Sequence, residues 1–529
     1  MTLAEEQFRD WMPASGPVQP AVRVPMRDGV RLAMTLWLPP GDGPFPAILT
    51  QALNVQPWCT GSVGTYGGSH RASYQTSMAR AGVPPELTAM ATWTGGYRAG
   101  RTENAGPPMS GGVIALGTTL IWLPNEAGGV LDRLAADGAD VRAARATLAR
   151  MRTHPRETFE HLPLLEAPIT AYGDLRELFA YRLARTSTPS DGVPSPPGEV
   201  ITTPVFHEAG WFDHACWTQI ESFTRLRTEA GTAAARAGQH IVLGPWPHGS
   251  AFADRLGDMY FGPAAGSAGS PLNDLQVRFF QKYVNGADVD LPAVTYFVMG
   301  RNEWRSADTW PPPGITRRRL YLRGGGGLSP EPPGDGEPPD QFRYDPADPV
   351  PTLGGALDWQ LVIPGMIAGP VEQGPVERRP DVLTYTTGPL ASPVEISGPI
   401  VANLFASTSA ADTDFTAKLC QVLPDGRSYN IQEGILRLSG RDLLGRRQAV
   451  TPGEVYELRI GVGQTSIVIP AGSSLRLQVA SSNFPHWDRN MNTGHPVGTD
   501  AAGVTARQSV YHAGTLASYL ELPMGGFRE

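Results

Sequence analysis

Residues 62–82 read SVGTYGGSHRASYQTSMARAG, and this stretch decides the fold class. Residues 62–66 resemble a short β-strand, whereas residues 70–81 suit a helix that ends at Gly82. Gly67, Gly68 and Ser69 lie between the two. Small residues at such a junction allow a strand to turn sharply into a helix and to present the serine hydroxyl at the turn. The stretch therefore predicts a strand–turn–helix unit of an α/β fold with Ser69 at its tip.

Strand–helix alternation continues on both sides of this unit. Residues 201–208 predict a strand that leads to Asp213, and residues 240–243 predict a strand that leads to His248. Between these two strands, four apolar residues spaced three apart predict an amphipathic helix: Trp217, Ile220, Phe223 and Leu226. Further strands are predicted at residues 21–26, 30–38, 46–50 and 87–93, and a further helix at residues 272–283.

Ser69, Asp213 and His248 have the residue types of a catalytic triad. A serine hydroxyl is a weak nucleophile at neutral pH and needs a neighbouring base, which in turn needs an orienting acid. The three residues follow the chain order serine, acid, histidine that the α/β-hydrolase fold uses, with the acid and the histidine on loops after strands. Taken singly, Asp213 could cap a helix and His248 could lie at the surface of a Gly/Pro loop. Their order and placement together favour the triad.

The remaining sequence predicts an insertion and a second domain. Residues 106–185 have a helical pattern between two strand–loop units, which is typical of an inserted cap. Beyond Leu291 short strands alternate with Pro/Gly turns, which is typical of a sandwich or jelly roll. We therefore predict an α/β-hydrolase core at residues 1–105 and 200–290, a helical cap at 106–199, and a C-terminal all-β jelly-roll domain at 291–529.

Composition excludes several function classes. The 529 residues carry a formal net charge of −8, with no basic stripe that would attract nucleic acid. No apolar run approaches the roughly 20 residues needed to cross a bilayer, so no membrane partner is expected. The three cysteines, Cys59, Cys216 and Cys420, build neither a disulfide framework nor a metal knuckle. Together with an acidic N-terminus unlike a secretory signal, they predict a cytoplasmic protein without a metal or other cofactor.

The triad segments also carry a family resemblance. The chain resembles the cocaine esterase and Xaa-Pro dipeptidyl-peptidase family of α/β-hydrolases, a group that includes α-amino acid ester hydrolases and glutaryl acylases. The matching segments span nearly the whole chain: VPMRDGVRL (24–32), QPWCTGSVGTYGGS (56–69), AGWFD (209–213), LGPWPH (243–248), DVLTY (381–385), DTDF (412–415) and SSNFPHWDRN (481–490).

The resemblance implies a role for each of these residues. Ser69 would be the nucleophile, Asp213 the acid and His248 the base, while the backbone N–H of His70 would serve the oxyanion hole. Family members usually have tyrosine at the position of His70. Arg71 also departs from the common nucleophile motif, which has glycine there. Trp211, Phe212 and Trp246 are candidates for the substrate pocket, although Trp211 and Trp246 could equally be core aromatics.

A larger departure follows Thr50. Family members normally carry a Pro-Tyr segment there, whose tyrosine hydroxyl is the second oxyanion donor, and then a further strand and helix before the Gln-Pro-Trp segment. Here Gln56-Pro57-Trp58 follows Thr50 within a few residues. Either the sheet closes up without the absent block, or the core is damaged.

Two functions follow from these observations. The leading hypothesis is an active serine esterase or amidase, or an Xaa-Pro dipeptidyl-peptidase-like enzyme, that acts through an acyl-enzyme on a small ester, amide or short peptide and can form a homo-oligomer. The alternative is a weak or inactive homologue that acts as a binding protein. A carbohydrate-binding β domain is a third interpretation, but the sequence offers no aromatic platform or calcium cluster in its favour.

Overall fold

The computed structural model describes residues 18–25, 31–37, 47–50, 62–82, 85–95, 110–167, 176–177, 179–180, 200–357, 366–442 and 447–525. None of the helices in these ranges is long and apolar enough to cross a membrane. Up to residue 307 the elements are, in chain order, β1 (Val18–Pro25), β2 (Arg31–Trp37), β3 (Ala47–Thr50), β4 (Val63–Gly68), α1 (His70–Ala81), β5 (Leu87–Trp93), β6 (Ser110–Gly111), α2 (Leu116–Ala136), α3 (Arg142–Thr153), α4 (Pro155–Glu160), β7 (Val205–Phe212), α5 (Cys216–Glu229), α6 (Ala233–Ala237), β8 (Gln239–Pro247), β9 (Arg255–Leu256), β10 (Met259–Tyr260), α7 (Leu272–Tyr283), β11 (Val294–Val298) and β12 (Glu303–Ala307).

A seven-stranded sheet forms the core of this part, in the order β12-β11-β8-β7-β5-β4-β3. The strands from β3 to β11 run parallel, and the edge strand β12 is antiparallel to β11. Strands β7 and β8 are buried along their whole length, as expected for a parallel sheet covered on both faces. The predicted α/β-hydrolase core is therefore confirmed, and the predicted helix at residues 70–81 has the observed bounds of α1.

The sheet is continuous where the family block is absent. Strand β3 pairs directly with β4 in parallel register, from Ala47 opposite Val63 to Thr50 opposite Tyr66. The linking residues 51–61 lie outside the described residues. Of the two outcomes left open by the sequence, the described strands favour a sheet that has closed up, with β3 beside the nucleophile strand.

Helices α2, α3 and α4 form the inserted cap, and they pack against the C-terminal part of the chain. Their shared apolar core includes Leu120, Leu148 and Phe159, and it extends to Leu357 and Ala368. Three backbone hydrogen bonds fasten the cap segment to one loop region: from the Gly117 N–H to the Pro485 carbonyl, from the Asp488 N–H to the Ile114 carbonyl, and from the Leu165 N–H to the Gly498 carbonyl. The cap is thus tied to the β domain through main-chain groups.

The C-terminal part is all-β, as predicted. Its elements are β13 (Ile315–Arg323), β14 (Gly327–Ser329), β15 (Asp340–Tyr344), α8 (Gly374–Glu377), β16 (Leu383–Thr386), β17 (Val394–Thr408), β18 (Asp414–Val422), β19 (Ser428–Arg437), β20 (Tyr456–Ile469), β21 (Ser474–Ala480), β22 (Ala506–Tyr511) and β23 (Tyr519–Gly525). They form a sheet in the order β15-β22-β17-β23-β13-β14-β16-β21-β18-β19-β6, with β20 paired to β17. The short strand β6, which precedes the cap, thus joins the edge of the β domain beside β19.

One prediction in the β domain is wrong. The sequence predicted short strands separated by turns, whereas residues 456–469 form the single 14-residue strand β20. Ile400 of β17 pairs with Gly463 of β20, but the next residue, Val401, pairs with Gly461. Val462 is therefore the extra residue of a β-bulge in β20. A bulge absorbs the irregular spacing of the apolar residues without ending the strand. The domain bounds at residues 105, 199 and 290 stay a prediction.

The α/β core and the β domain share one apolar core. The Trp211 ring at the end of β7 stacks on Trp310 with 5.4 Å between ring centroids. The Gln432 side-chain amide of β19 donates to the Trp211 carbonyl at 2.7 Å. Met299, just after β11, forms backbone hydrogen bonds with Ser466 and Val468 of β20. Neither part therefore buries its apolar surface without the other.

Candidate active site

Ser69 lies at the junction of β4 and α1 in a strained backbone conformation. Its φ is 53° and its ψ is −121°, although it is not a glycine. Its N–H donates to the Trp93 carbonyl at 2.8 Å, which holds the turn against β5. Its hydroxyl makes no capping bond to the helix and is available for another partner. A non-glycine residue in such a conformation is typical of a serine presented at a strand-to-helix turn.

Close packing explains the two glycines that precede Ser69. A β-carbon on Gly68 would lie 2.0 Å from the Trp93 ring, so only glycine fits. A β-carbon on Gly67 would lie 2.8 Å from the Arg71 β-carbon. Two β-carbons at positions 67 and 71 would clash, so one of these positions must be glycine. In this chain Gly67 alone avoids the clash, and position 71 can carry a side chain. The departure at Arg71 is therefore compatible with the turn.

Buried glutamines anchor the helices to the strand ends around Ser69. On α1, the Gln75 amide donates to the carbonyls of Gly67 and Ala91 at 3.1 Å each, and its oxygen accepts from Thr65 at 2.7 Å. On α5, the Gln219 amide donates to the Thr92 carbonyl at 2.7 Å. The helix termini beside the site are thereby fixed in position. The sequence analysis missed these residues, whose signal is a glutamine on an otherwise apolar helix face.

The structure brings the three predicted triad residues together. His248 Nε2 lies 3.2 Å from Ser69 Oγ, and His248 Nδ1 lies 3.0 Å from Asp213 Oδ1. Ser69 and His248 are 179 residues apart in the sequence, and Asp213 and His248 are 35 apart. The three residues meet because they follow the ends of β4, β7 and β8. A serine, a histidine and a carboxylate in this relay can move the hydroxyl proton onto the imidazole while the carboxylate orients the ring.

Asp213 is fully buried and held in its ionised form. Its Oδ1 also accepts the Ala215 N–H at 2.8 Å. Burial alone would raise the pKa of this carboxyl. The charge and hydrogen bond of His248, the nearby His214 and the Ala215 N–H outweigh burial, so the pKa lies below its ordinary value. The site therefore presents a carboxylate to His248.

His214, which the sequence analysis missed, is a second imidazole at the site. Its Nδ1 lies 3.6 Å from Asp213 Oδ1, and its ring centroid lies 4.6 Å from that of His248. Its side chain is 31% exposed, against 13% for His248, so it lies on the solvent side of the group. The signal in the sequence is direct, because His214 immediately follows Asp213 on the same loop.

A buried acid also lies beneath the site. Glu208 on β7 is opposite Trp93 in the sheet and accepts the Gln276 amide of α7 at 3.2 Å. Burial, and next to it the charge of Asp213, raise the pKa of Glu208 from its ordinary 4.5 to about 8. Its protonated form keeps a second negative charge away from Asp213. The sequence signal is an acid within the apolar run VFHEAGWF.

This raised pKa predicts a pH-dependent cost to stability. Between pH 4.5 and pH 8 the unfolded chain loses the Glu208 proton while the folded chain keeps it, so stability falls as the pH rises. The slope is at most about 1.4 kcal/mol per pH unit. Glu208→Gln has no proton to lose. We therefore expect the urea unfolding midpoint of the variant, relative to that of wild type, to be higher at pH 8 than at pH 5. Glu303→Gln, at a half-exposed strand position, is the control. A Glu208→Gln difference equal at both pH values would contradict the assignment.

The three aromatic pocket candidates are buried, as the core alternative for Trp211 and Trp246 implies. Trp211 is 0% exposed, and its indole N–H donates to the Phe297 carbonyl at 2.9 Å. Trp246 is 1% exposed and donates to the Ala265 carbonyl at 3.0 Å, while Phe212 is 1% exposed and stacks on Phe261. All three rings are packed in the core and have no face toward an open pocket. Their role is to hold the strand ends that carry Asp213 and His248.

His70 occupies the first position of α1, directly after Ser69. The backbone N–H groups of a first helical turn have no carbonyl partner within the helix and point along its positive end. The side chain of His70 and the whole of Cys59 lie outside what the structure describes. Cys216 and Cys420 are buried free thiols within the described chain.

Comparisons with known proteins identify relatives of this chain. One family model, X-Pro dipeptidyl-peptidase (S15 family), matches residues 53–250, and a second, the X-Pro dipeptidyl-peptidase C-terminal non-catalytic domain, matches residues 285–521. The cocaine esterase of Rhodococcus sp. (strain MB1 Bresler) is 32% identical over 570 aligned positions, which cover 92% of this chain and 93% of that protein.

Solved structures share the fold. An aminopeptidase from a marine sediment archaeon (Thaumarchaeota archaeon) superposes with a TM-score of 0.72 at 20% identity and covers 97% of this chain and 99% of that one. An α-amino acid ester hydrolase superposes with a TM-score of 0.70 at 21% identity and covers 95% and 96%. At these identities the likeness concerns the fold alone.

Proposed function

The chain belongs to the cocaine esterase and X-Pro dipeptidyl-peptidase family of α/β-hydrolases and is a serine hydrolase, and from this premise we propose that Ser69, His248 and Asp213 are its catalytic triad. The observation that carries the proposal is the relay from Ser69 Oγ through both ring nitrogens of His248 to Asp213 Oδ1, at 3.2 and 3.0 Å. Activation of a serine requires a base within hydrogen-bond reach of its hydroxyl and a third group that orients the base, and His248 and Asp213 have these positions.

The relay supports acylation of Ser69. His248 Nε2 takes the hydroxyl proton as Ser69 Oγ bonds to the acyl carbon of the substrate, and the carbonyl electron pair moves onto the oxygen. When this intermediate collapses, the bond to the leaving group breaks, and the leaving group takes the proton from His248. Asp213 stays ionised throughout and stabilises the imidazolium. A water then repeats the sequence on the acyl-enzyme, releases the acid and restores Ser69.

The N-terminus of α1 supplies one donor for the oxyanion. The His70 backbone N–H follows the nucleophile directly and has no carbonyl partner within the helix, so it is suited to receive the charge that develops on the substrate oxygen. A continuous sheet at β3 and β4 and three triad side chains in hydrogen-bond reach support an active enzyme over an inactive binding homologue.

An acyl ester is the substrate class best supported. The esterase relative is similar over nearly the full length of both chains, while the family model that matches residues 53–250 is named for X-Pro dipeptides. We therefore propose small acyl esters as the preferred substrates, and amides or short X-Pro peptides as the second choice.

A covalent probe and a substrate panel test the proposal. A fluorophosphonate should form one adduct per chain, on the peptide that contains Ser69, and should abolish hydrolysis of p-nitrophenyl esters in proportion to labelling. X-Pro p-nitroanilides and simple amides in the same panel decide between the ester and peptide classes. The absence of both labelling and turnover with every substrate would contradict the proposal.

A further inference from the structure

Asp213, His214 and His248 present three ligand atoms to one point beside the nucleophile. The ligand atoms of this trio, one carboxylate oxygen and two imidazole nitrogens, lie within 4.8 Å of one another. We infer that the Asp213–His214–His248 trio is a binding site for a transition-metal dication such as Zn²⁺, and that the ion switches the hydrolase off. The inhibitory part of this inference rests on the proposed function, whereas metal binding does not.

The spacing of the ligand atoms fits a small tetrahedral ion. Zinc binds histidine nitrogen and carboxylate oxygen at about 2.0–2.2 Å, which puts neighbouring ligands of a tetrahedron about 3.3 Å apart. Asp213 Oδ1 lies 3.0 Å from His248 Nδ1 and 3.6 Å from His214 Nδ1. These two separations fall on either side of the tetrahedral value, and all three ligand atoms lie within 4.8 Å of one another. Binding would require the side chains to rotate, because Asp213 Oδ1 now occupies the hydrogen-bonding direction of His248 Nδ1.

A second observation also points to a ligand. Asp213 Oδ2 is buried and has no hydrogen-bond partner among the residues that the structure describes. Burying an unpaired carboxylate oxygen is costly, and a cation bound to this carboxylate would lower that cost. The His214 side chain is 31% exposed, although its Nδ1 is buried.

Binding at the trio would disable the proposed general base. In the catalytic tautomer, His248 Nδ1 carries the proton that Asp213 accepts, and Nε2 is free to take the Ser69 proton. A metal on Nδ1 displaces that proton to Nε2 in a neutral ring, or releases one proton to solvent from a doubly protonated ring. Either way Nε2 is protonated and cannot accept from Ser69, so acylation stops.

The chemistry of the ligands predicts which ions act. Two imidazoles and one carboxylate suit Zn²⁺, Cu²⁺ and Ni²⁺, whereas Mg²⁺ and Ca²⁺ prefer oxygen ligands. We therefore expect Zn²⁺ to bind and Mg²⁺ at the same concentration to have no effect.

Calorimetry on the Ser69→Ala chain tests binding without any need for activity. This variant keeps all three ligands, and we expect one Zn²⁺ ion per chain at the trio. Adding His214→Ala or His214→Gln should weaken that binding at least about 100-fold, since loss of even an outer partner of a metal ligand costs about 10- to 100-fold. His495→Ala is the matched control, because it removes a histidine that pairs with Asp500 at 2.7 Å far along the chain.

Inhibition in the active chain tests the consequence. With each variant compared with its own metal-free rate, Zn²⁺ should inhibit wild type and His495→Ala alike, EDTA should restore turnover, and His214→Ala should need at least about 100-fold more zinc. Unfolding midpoints establish that both His214 variants are folded.

Two results would overturn the inference. One is equal zinc sensitivity of wild type and both His214 variants. The other is relief of inhibition by His70→Ala in place of His214→Ala, which would move the site to the residue after the nucleophile. If instead no substrate or probe reports activity while zinc binds the Ser69→Ala chain through His214, the proposed function fails and the metal site stands.

Discussion

Replacing Ser69 with alanine is expected to lower ester turnover by about a millionfold. The reason is that this hydroxyl lies 3.2 Å from His248 Nε2, which takes its proton in the proposed mechanism. The fold should be retained, because Ser69 makes no side-chain capping bond and its backbone hydrogen bond to Trp93 does not need the hydroxyl. Steady-state kinetics with a p-nitrophenyl ester and fluorophosphonate labelling measure the loss.

Ser73→Ala is the matched control for this prediction. Ser73 lies one helical turn further along α1, and its backbone N–H donates to the Ser69 carbonyl at 3.2 Å. The control therefore removes a hydroxyl from the same helix end without touching the relay, and turnover within a few-fold of wild type is expected. If Ser69→Ala kept a tenth of the wild-type activity, another residue would be the nucleophile.

That Ser69, Asp213 and His248 lie together could be predicted from sequence because each of them directly follows a strand. Chain order and strand ends carry that information, and parallel strands bring their carboxyl ends to one edge of the sheet. The strained φ of Ser69 and the hydrogen bonds of Gln75 could not be predicted, because they depend on how β5 and α1 approach each other. For Trp211 and Trp246 the sequence left both a pocket and a core position open, since an aromatic ring beside such a loop looks the same in sequence in either case.

The sequence predicted only short strands beyond Leu291, whereas β17, β18 and β19 have 15, 9 and 10 residues. The polar residues of these strands explain the difference. Strand β18 is buried at every position, yet it contains Lys418, whose amino group lies 3.2 Å from the Glu433 carboxylate of β19. Buried charges that pair across strands interrupt the apolar alternation by which strands are recognised. The pairing that makes such residues tolerable belongs to the tertiary structure and leaves no local pattern.

Asp213→Ala is expected to lower turnover by about 10⁴-fold while leaving the nucleophile in place. The substitution removes the acceptor of the His248 Nδ1 proton at 3.0 Å, so the ring loses both its orientation and the charge that stabilises the imidazolium. KM for the ester should change little, since Asp213 is fully buried and does not contact substrate. Asp274→Ala, at an exposed position of α7, is the control.

Asp213→Asn separates the hydrogen bond from the charge. Asp213 Oδ1 accepts both the His248 and the Ala215 protons, whereas Oδ2 has no hydrogen-bond partner in the described part of the chain. An asparagine can therefore keep its oxygen at the Oδ1 position and place its amide where Oδ2 lies, so that the His248 tautomer is preserved and only the charge is lost. We expect the asparagine variant to retain at least about tenfold more turnover than Asp213→Ala, whose loss of about 10⁴-fold includes the misoriented ring. Equal losses in the two variants would mean that the amide turns toward His248 Nδ1 and enforces the wrong tautomer. Wild-type turnover in both would remove Asp213 from the triad.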